Sequence, residues 1–226
     1  MSEVQQLNTK VTPQGEPSGG MRLMANIVSV IFHPVFFPLV MALVLSKLAP
    51  AGYVGLSQKQ LVMWFMSIGL TAVFFPLFSI FLMKQLDFIS SYKMPTARER
   101  TIPLMATMIF YFWVSHVFNS MAGYPVPLTL KVLLLGNFWG IIVLFIINIF
   151  TKISMHTSAC GGMIGIILVL MITGPVNMLL PLVVAILLAG IVGTSRLILG
   201  AHQKGDVWLG YIIGILVQLG AYVYMK

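Results

Sequence analysis

His202 and Asp206 stand four residues apart, a spacing that turns two side chains to one face of a helix. A carboxylate there would fix the imidazole tautomer and favour its charged form. After Glu99 the chain holds one further acidic residue, Asp206. After Arg100 it holds one further arginine, Arg196, and after His116 two further histidines, His156 and His202. Phosphoryl transfer needs such an inventory. Fixed cations must neutralise the transferring group, best as guanidinium with its planar fork. A nucleophile must be activated by a neighbouring base or an orienting carboxylate. An acid must protonate the leaving oxygen. Arg196 with Lys93 and Arg100 supplies the cations, and His156 remains as the acid. No metal is required. The bland reading is that polar residues simply belong at membrane ends; it accounts for their depth but not for their gathering.

The elements that must carry these residues are membrane helices. Of 226 residues 59% are hydrophobic and 8% charged, and the mean hydropathy is +1.00. A soluble domain carries about 25% charged residues, so a chain this apolar needs lipid as its solvent. Lipid admits helices or a closed barrel. The apolar stretches run continuously for roughly 20 residues without period-2 alternation, which selects helices. Seven are expected: Met24–Leu48, Leu61–Met83, Pro103–Ala122, Thr129–Phe150, Thr157–Thr173, Val176–Thr194 and Val207–Met225. The count falls to six if the first does not span, or if the short fifth and sixth form a re-entrant pair. The Gly174-Pro175-Val176-Asn177 turn between them favours a spanning hairpin.

The expected class is thus all-α, a polytopic transmembrane bundle. Residues 1–20, polar and rich in Gly, Pro and Gln, read as a disordered tail, and 21–226 as one domain. The first apolar run is too long for a signal-peptide core and is expected to be retained as an anchor. The connections after the third and fifth segments carry no charge. Those after the second, fourth and sixth carry Lys93 and Arg100, then Ser154 and His156, then Ser195, Arg196, His202 and Asp206. Parity puts these three on one face, together with the N-terminus. The net charge of +8 suits anionic headgroups or a bound phosphate. Cys160 stands alone, which excludes an internal disulfide and a CxxC zinc site.

The string Ser195-Arg196-Leu-Ile-Leu-Gly-Ala-His202-Gln-Lys-Gly-Asp206 resembles the third motif of the type 2 phosphatidic acid phosphatase (PAP2) superfamily, SRxxxxxHxxxD, at every fixed position. Ile153-Ser154-Met155-His156 is similar to the second motif, PSGH, but keeps only Ser and His. Lys93 and Arg100, seven apart, resemble the first, KxxxxxxRP, with Thr101 in place of proline. The resemblance implies a PAP2-like helical core. His202 would be the nucleophile, forming a phosphohistidine, with Asp206 its orienter and His156 the general acid. Lys93, Arg100, Arg196, Ser154 and Ser195 would bind phosphate. The implied activity is hydrolysis of a lipid phosphomonoester or pyrophosphate without cofactor or metal. The implied partners are a lipid-phosphate substrate and membrane lipids, with no nucleic acid. The implied place is a bacterial inner membrane with the site at the periplasmic face.

Two other classes compete: a transporter or channel, for which intramembrane His and Asn would suit, and a non-catalytic lipid-binding relative, which need not keep both His202 and Asp206. His33 before Pro34 reads as a kink-associated hydrogen bond. His116 with Asn119 reads as a buried polar pair, Asn137, Asn148 and Gln218 as interhelical glue, and Gly161/Gly165 and Gly210/Gly214 as close helix contact. Arg98 and Glu99 are expected to pair at the surface.

Overall fold

The computed structural model describes residues 17–226 except Lys93, Pro95, Ala122 and Tyr124. Among these residues there is no strand, and seven helical spans are long and apolar enough to cross a membrane. The protein is an all-α membrane bundle. The first span, Gly19–Leu48, is broken into α1 (Gly19–Ile31) and α2 (Phe37–Leu48) by a 3-10 turn at Pro34–Phe36. The second joins α3 (Gln58–Ile68) to α4 (Phe75–Gln85) through a π-helical segment, Gly69–Phe74, just ahead of Pro76. Then follow α5 (Ala97–Ser120), α6 (Leu128–Asn148), α7 (Met155–Thr173), α8 (Leu179–Ile198) and α9 (Lys204–Met225). With 19 and 20 residues, α7 and α8 form a spanning hairpin.

Several helices begin earlier than hydropathy alone suggests because polar caps extend them, whereas uncapped α8 begins at Leu179, after the expected Val176. Thr96 and Glu99 form a capping box that starts α5 six residues before Pro103. Ser154 caps α7 by accepting from Thr157 N. Gln203 and Asp206 form the box that opens α9. The expected polar tail also ends sooner: α1 starts at Gly19, with Ser18 as its cap. Residues 1–16 of that tail lie outside the described residues.

α7 packs along α9 on small residues. A Cβ on Gly161 would strike the Tyr211 carbonyl, one on Gly210 the Thr157 hydroxyl, and one on Gly214 the Ser158 carbonyl. The two GxxxG patterns therefore act within one chain, letting backbones approach for dispersion contact where lipid offers no hydrophobic drive. Asn137 and Gln218 join α6 to α9 at 3.1 Å, and Asn148 reaches the Ala97 carbonyl on α5 at 2.7 Å. Two expectations fail. Asn119 donates to Ser115 in its own helix, and exposed His116 stacks on Phe112, so the two are not a pair. Glu99 is consumed by its cap and by Ser90, and Arg98 forms no ion pair with it.

Candidate active site

The turn that ends α8 sets the spacing between Arg196 and His202. Gly200 N donates to Leu197 O and Ala201 N to Arg196 O, the paired bonds of a Schellman cap. Gly200 takes φ +61°, a left-handed conformation that favours glycine. The chain reverses within this turn, so His202 returns beside the last turn of α8 as α9 begins. The α7–α9 contact adds the next segment: Ser154 N–H donates to the Asp206 carbonyl at 3.5 Å.

The Lys152–Ile153 peptides then hold two side chains at once. His202 Nδ1 lies 3.1 Å from the Lys152 carbonyl, and Arg100 Nη1 donates to the Ile153 carbonyl at 3.5 Å. Arg100 Nε donates to Met94 O at 3.1 Å. A carbonyl can only accept, so Nδ1 carries the proton and His202 Nε2 keeps its lone pair. Asp206 stands behind the same ring edge, Oδ2 3.8 Å from Nδ1, while accepting Gln203 N–H at 2.9 Å. That separation is an ion-pair distance, not a hydrogen bond. The backbone of Lys152 thus orients His202, a task the sequence assigns to Asp206 alone.

The electrostatics are one-sided. Burial first, and then the Arg100 guanidinium, push His202 down to about 4; Arg196 and Lys152 add to this, and the Lys152 carbonyl opposes it. Lys152 is itself lowered by burial, Arg100 and Arg196, with Asp206 acting the other way. Three cations therefore surround one neutral histidine. Neither Arg100 nor Arg196 meets a carboxylate among the described residues. The Nε of Arg196 is buried with no hydrogen-bond partner among the described residues. Buried cationic donors without anions are costly, and a bound anion would relieve them.

His156, the second residue of α7, points its Nε2 at the Ser29 carbonyl, 3.0 Å away. Arg196 Nη1 donates to Ser29 Oγ at 3.0 Å. His33 lies one turn beyond Ser29, its ring edge-on to that of His156 with centroids 5.5 Å apart. Its Nδ1 accepts Val35 N–H at 3.4 Å, the kink bond expected beside Pro34. The first span, which the motifs leave out, is thereby part of the site.

The structure brings His202, Asp206, His156, Arg100 and Arg196 together at one end of the bundle. Ser154 is fully buried, its Oγ accepting Thr157 N–H as the α7 cap, and Ser195 Oγ donates its proton to Ile191 O within its helix. Lys93 lies outside the described residues. At the other end Gly52 approaches Pro127, so the connections after the first and third spans meet there. An apolar cavity of about 140 Å³ begins at Arg100 and His33 and continues between Pro103, Leu104, Ile141 and Leu144. A larger groove of about 610 Å³ starts at His33 and runs between α2, α7 and α8. No group of three or more His, Cys, Asp or Glu among the described residues could hold a metal. No family model matches this chain, and neither a curated protein nor a solved structure does.

Proposed function

We propose that this protein is a membrane lipid-phosphate phosphatase working through a phosphohistidine, a divergent member of the PAP2 superfamily. The observation that carries the reading is the cluster of Arg100, Lys152 and Arg196 around His202, with Arg100 also lining an apolar cavity. The cations suit a phosphate and the cavity suits the chain attached to it. In the first step the Nε2 lone pair of His202 attacks phosphorus, and the P–O bond to the lipid breaks. With Nε2–H held by the Ser29 carbonyl, the leaving oxygen takes the Nδ1 proton of His156 in its imidazolium form, which the charge of the bound phosphate favours. The charge left on His202 is spread toward the Lys152 carbonyl and Asp206. In the second step water attacks phosphorus, giving its proton to His156. The P–N bond breaks and orthophosphate leaves. The same resemblance implies an inner-membrane location with the site at the periplasmic face.

The test is trapping of labelled phosphate on purified protein given a panel of lipid phosphates and pyrophosphates in EDTA. Acid-labile, hydroxylamine-sensitive label on the wild type, absent from His202→Ala, is the expected result. Asp206→Asn should slow turnover less than His202→Ala, because Asp206 stands outside hydrogen-bond range of the ring. Near-normal turnover by His202→Ala would overturn the mechanism, and complete, metal-reversible loss in EDTA would overturn its independence of metal.

A further inference from the structure

The two side chains assigned to phosphate binding and acid catalysis are each held along one edge by the same residue of α1. Ser29 Oγ accepts from Arg196 Nη1 at 3.0 Å, and the Ser29 carbonyl faces His156 Nε2 at 3.0 Å. Ser29 is buried, 8% exposed. A serine in a membrane helix commonly spends its hydroxyl on the carbonyl four residues back, and Ser29 does so, donating to Ala25 O at 2.8 Å. That bond uses the hydroxyl's only proton. Its lone pairs stay open, and a guanidinium N–H is the partner they take.

The edge that Ser29 occupies matters. A guanidinium grips an oxyanion side-on through Nε and Nη2, two parallel donors. Ser29 takes Nη1, the nitrogen outside that pair, and leaves Nη2 without a protein partner among the described residues. The Nε of the pair is the buried donor with no hydrogen-bond partner among the described residues. A plug standing in for phosphate would sit on the Nε–Nη2 edge; this contact sits on the opposite one. His156 repeats the pattern, with Nε2 tied to Ser29 and Nδ1 lacking a protein partner among the described residues. His33, four residues on, backs the His156 ring edge-on.

We propose that Ser29 is a positioning residue of the phosphate site: its hydroxyl holds Arg196 and its carbonyl holds His156, leaving the side-on guanidinium edge and the other imidazole nitrogen open to the phosphate. α1 packs on α8 and is joined to α2 through the Pro34 turn, so the site is complete only when α1 is docked. The proposal rests on the phosphatase reading for its substrate, but not for its anion.

Orthovanadate binding and steady-state kinetics test it together. Ser29→Ala removes the hydroxyl and keeps the carbonyl and the helix. It should raise both KM for the lipid phosphate and the vanadate Ki about tenfold, the scale of a hydrogen bond to a charged group, with a smaller change in kcat. Ser29→Thr, which restores the oxygen, should recover most of the loss. On an Arg196→Lys background, where no fork remains to orient, Ser29→Ala should add little. An unchanged vanadate Ki in Ser29→Ala, or losses that multiply in the double variant, would overturn the proposal. A protein that binds vanadate but hydrolyses no lipid phosphate would sink the phosphatase reading alone, since vanadate Kd values from direct binding still decide the role of Ser29. A wild type that binds no vanadate would sink both.

Discussion

The site predicts an unusual acid limb. In the proposed phosphatase, His202 would attack as the neutral imidazole, so activity should be lost as pH falls through its pKa. An ordinary histidine titrates near 6.5. Here burial, Arg100, Arg196 and Lys152 hold His202 at about 4, against the weaker opposing pull of the Lys152 carbonyl. At pH 5.5 an unperturbed histidine is about nine-tenths protonated, which costs roughly tenfold in rate; one at the lowered value is about 97% neutral and loses almost nothing. The shift corresponds to about 3 kcal/mol against the imidazolium. A phosphomonoester substrate would itself titrate near pH 6, so kcat/KM alone would mix two ionisations. Acylation by diethyl pyrocarbonate, followed by mass spectrometry of the peptide carrying His202, reads the neutral imidazole without substrate. The expected midpoint is near pH 4. Arg100→Gln should raise it, yet leave it below 6.5, because burial is the larger cause and remains. A wild-type midpoint between 6 and 7 would refute the charge cluster around His202. A midpoint that Arg100→Gln leaves unmoved would refute the assignment of Arg100 to that cluster.

Two further outcomes follow from the packing and the span count. Gly214→Ala drives a methyl into the Ser158 carbonyl and to 2.5 Å from Gly162 N, an overpacking that should destabilise by about 1–3 kcal/mol; thermal unfolding in detergent should show it, while Gly190→Ala, with nothing within 4 Å, should leave the midpoint unchanged. Seven spans put the two ends of the chain on opposite faces: with Cys160 replaced, an impermeant maleimide added to spheroplasts should label a cysteine at Gln203 and one at Gln5, but not one at Lys226. Protection of both Gln203 and Gln5 would move the site to the cytoplasmic face, and labelling of only one of these two would break the helix count.

The architecture was legible because hydropathy is a property of long windows, and seven such windows survive any local error. The boundaries were not, because caps override hydropathy at helix ends. Thr96 and Glu99 pull α5 back across Arg98 and Arg100, and the Gln203–Asp206 box starts α9 three residues before Val207. That second extension also limits the motif reading. An i,i+4 argument puts Asp206 against His202, yet the capping box gives the carboxylate to Gln203 N and leaves 3.8 Å to the imidazole. The Lys152 carbonyl fills the gap. Every residue has a carbonyl, so no pattern of side chains could have pointed to it.

The same limit explains why the first span escaped notice. Motifs record side chains that touch the reacting group, whereas positioning runs through backbone oxygens and hydroxyls, which any helix can supply. His202 and His156 are each oriented by a backbone carbonyl, from Lys152 and Ser29, and Arg196 by a serine hydroxyl that also closes its own helical turn. These orienting groups carry no charge, and that has a consequence at this depth. A carboxylate paired with Arg196 would satisfy the arginine internally and remove its attraction for an anion. A hydroxyl holds the guanidinium in place without neutralising it. The cationic field at His202 therefore stays unspent, to be discharged only by a ligand that brings its own negative charge.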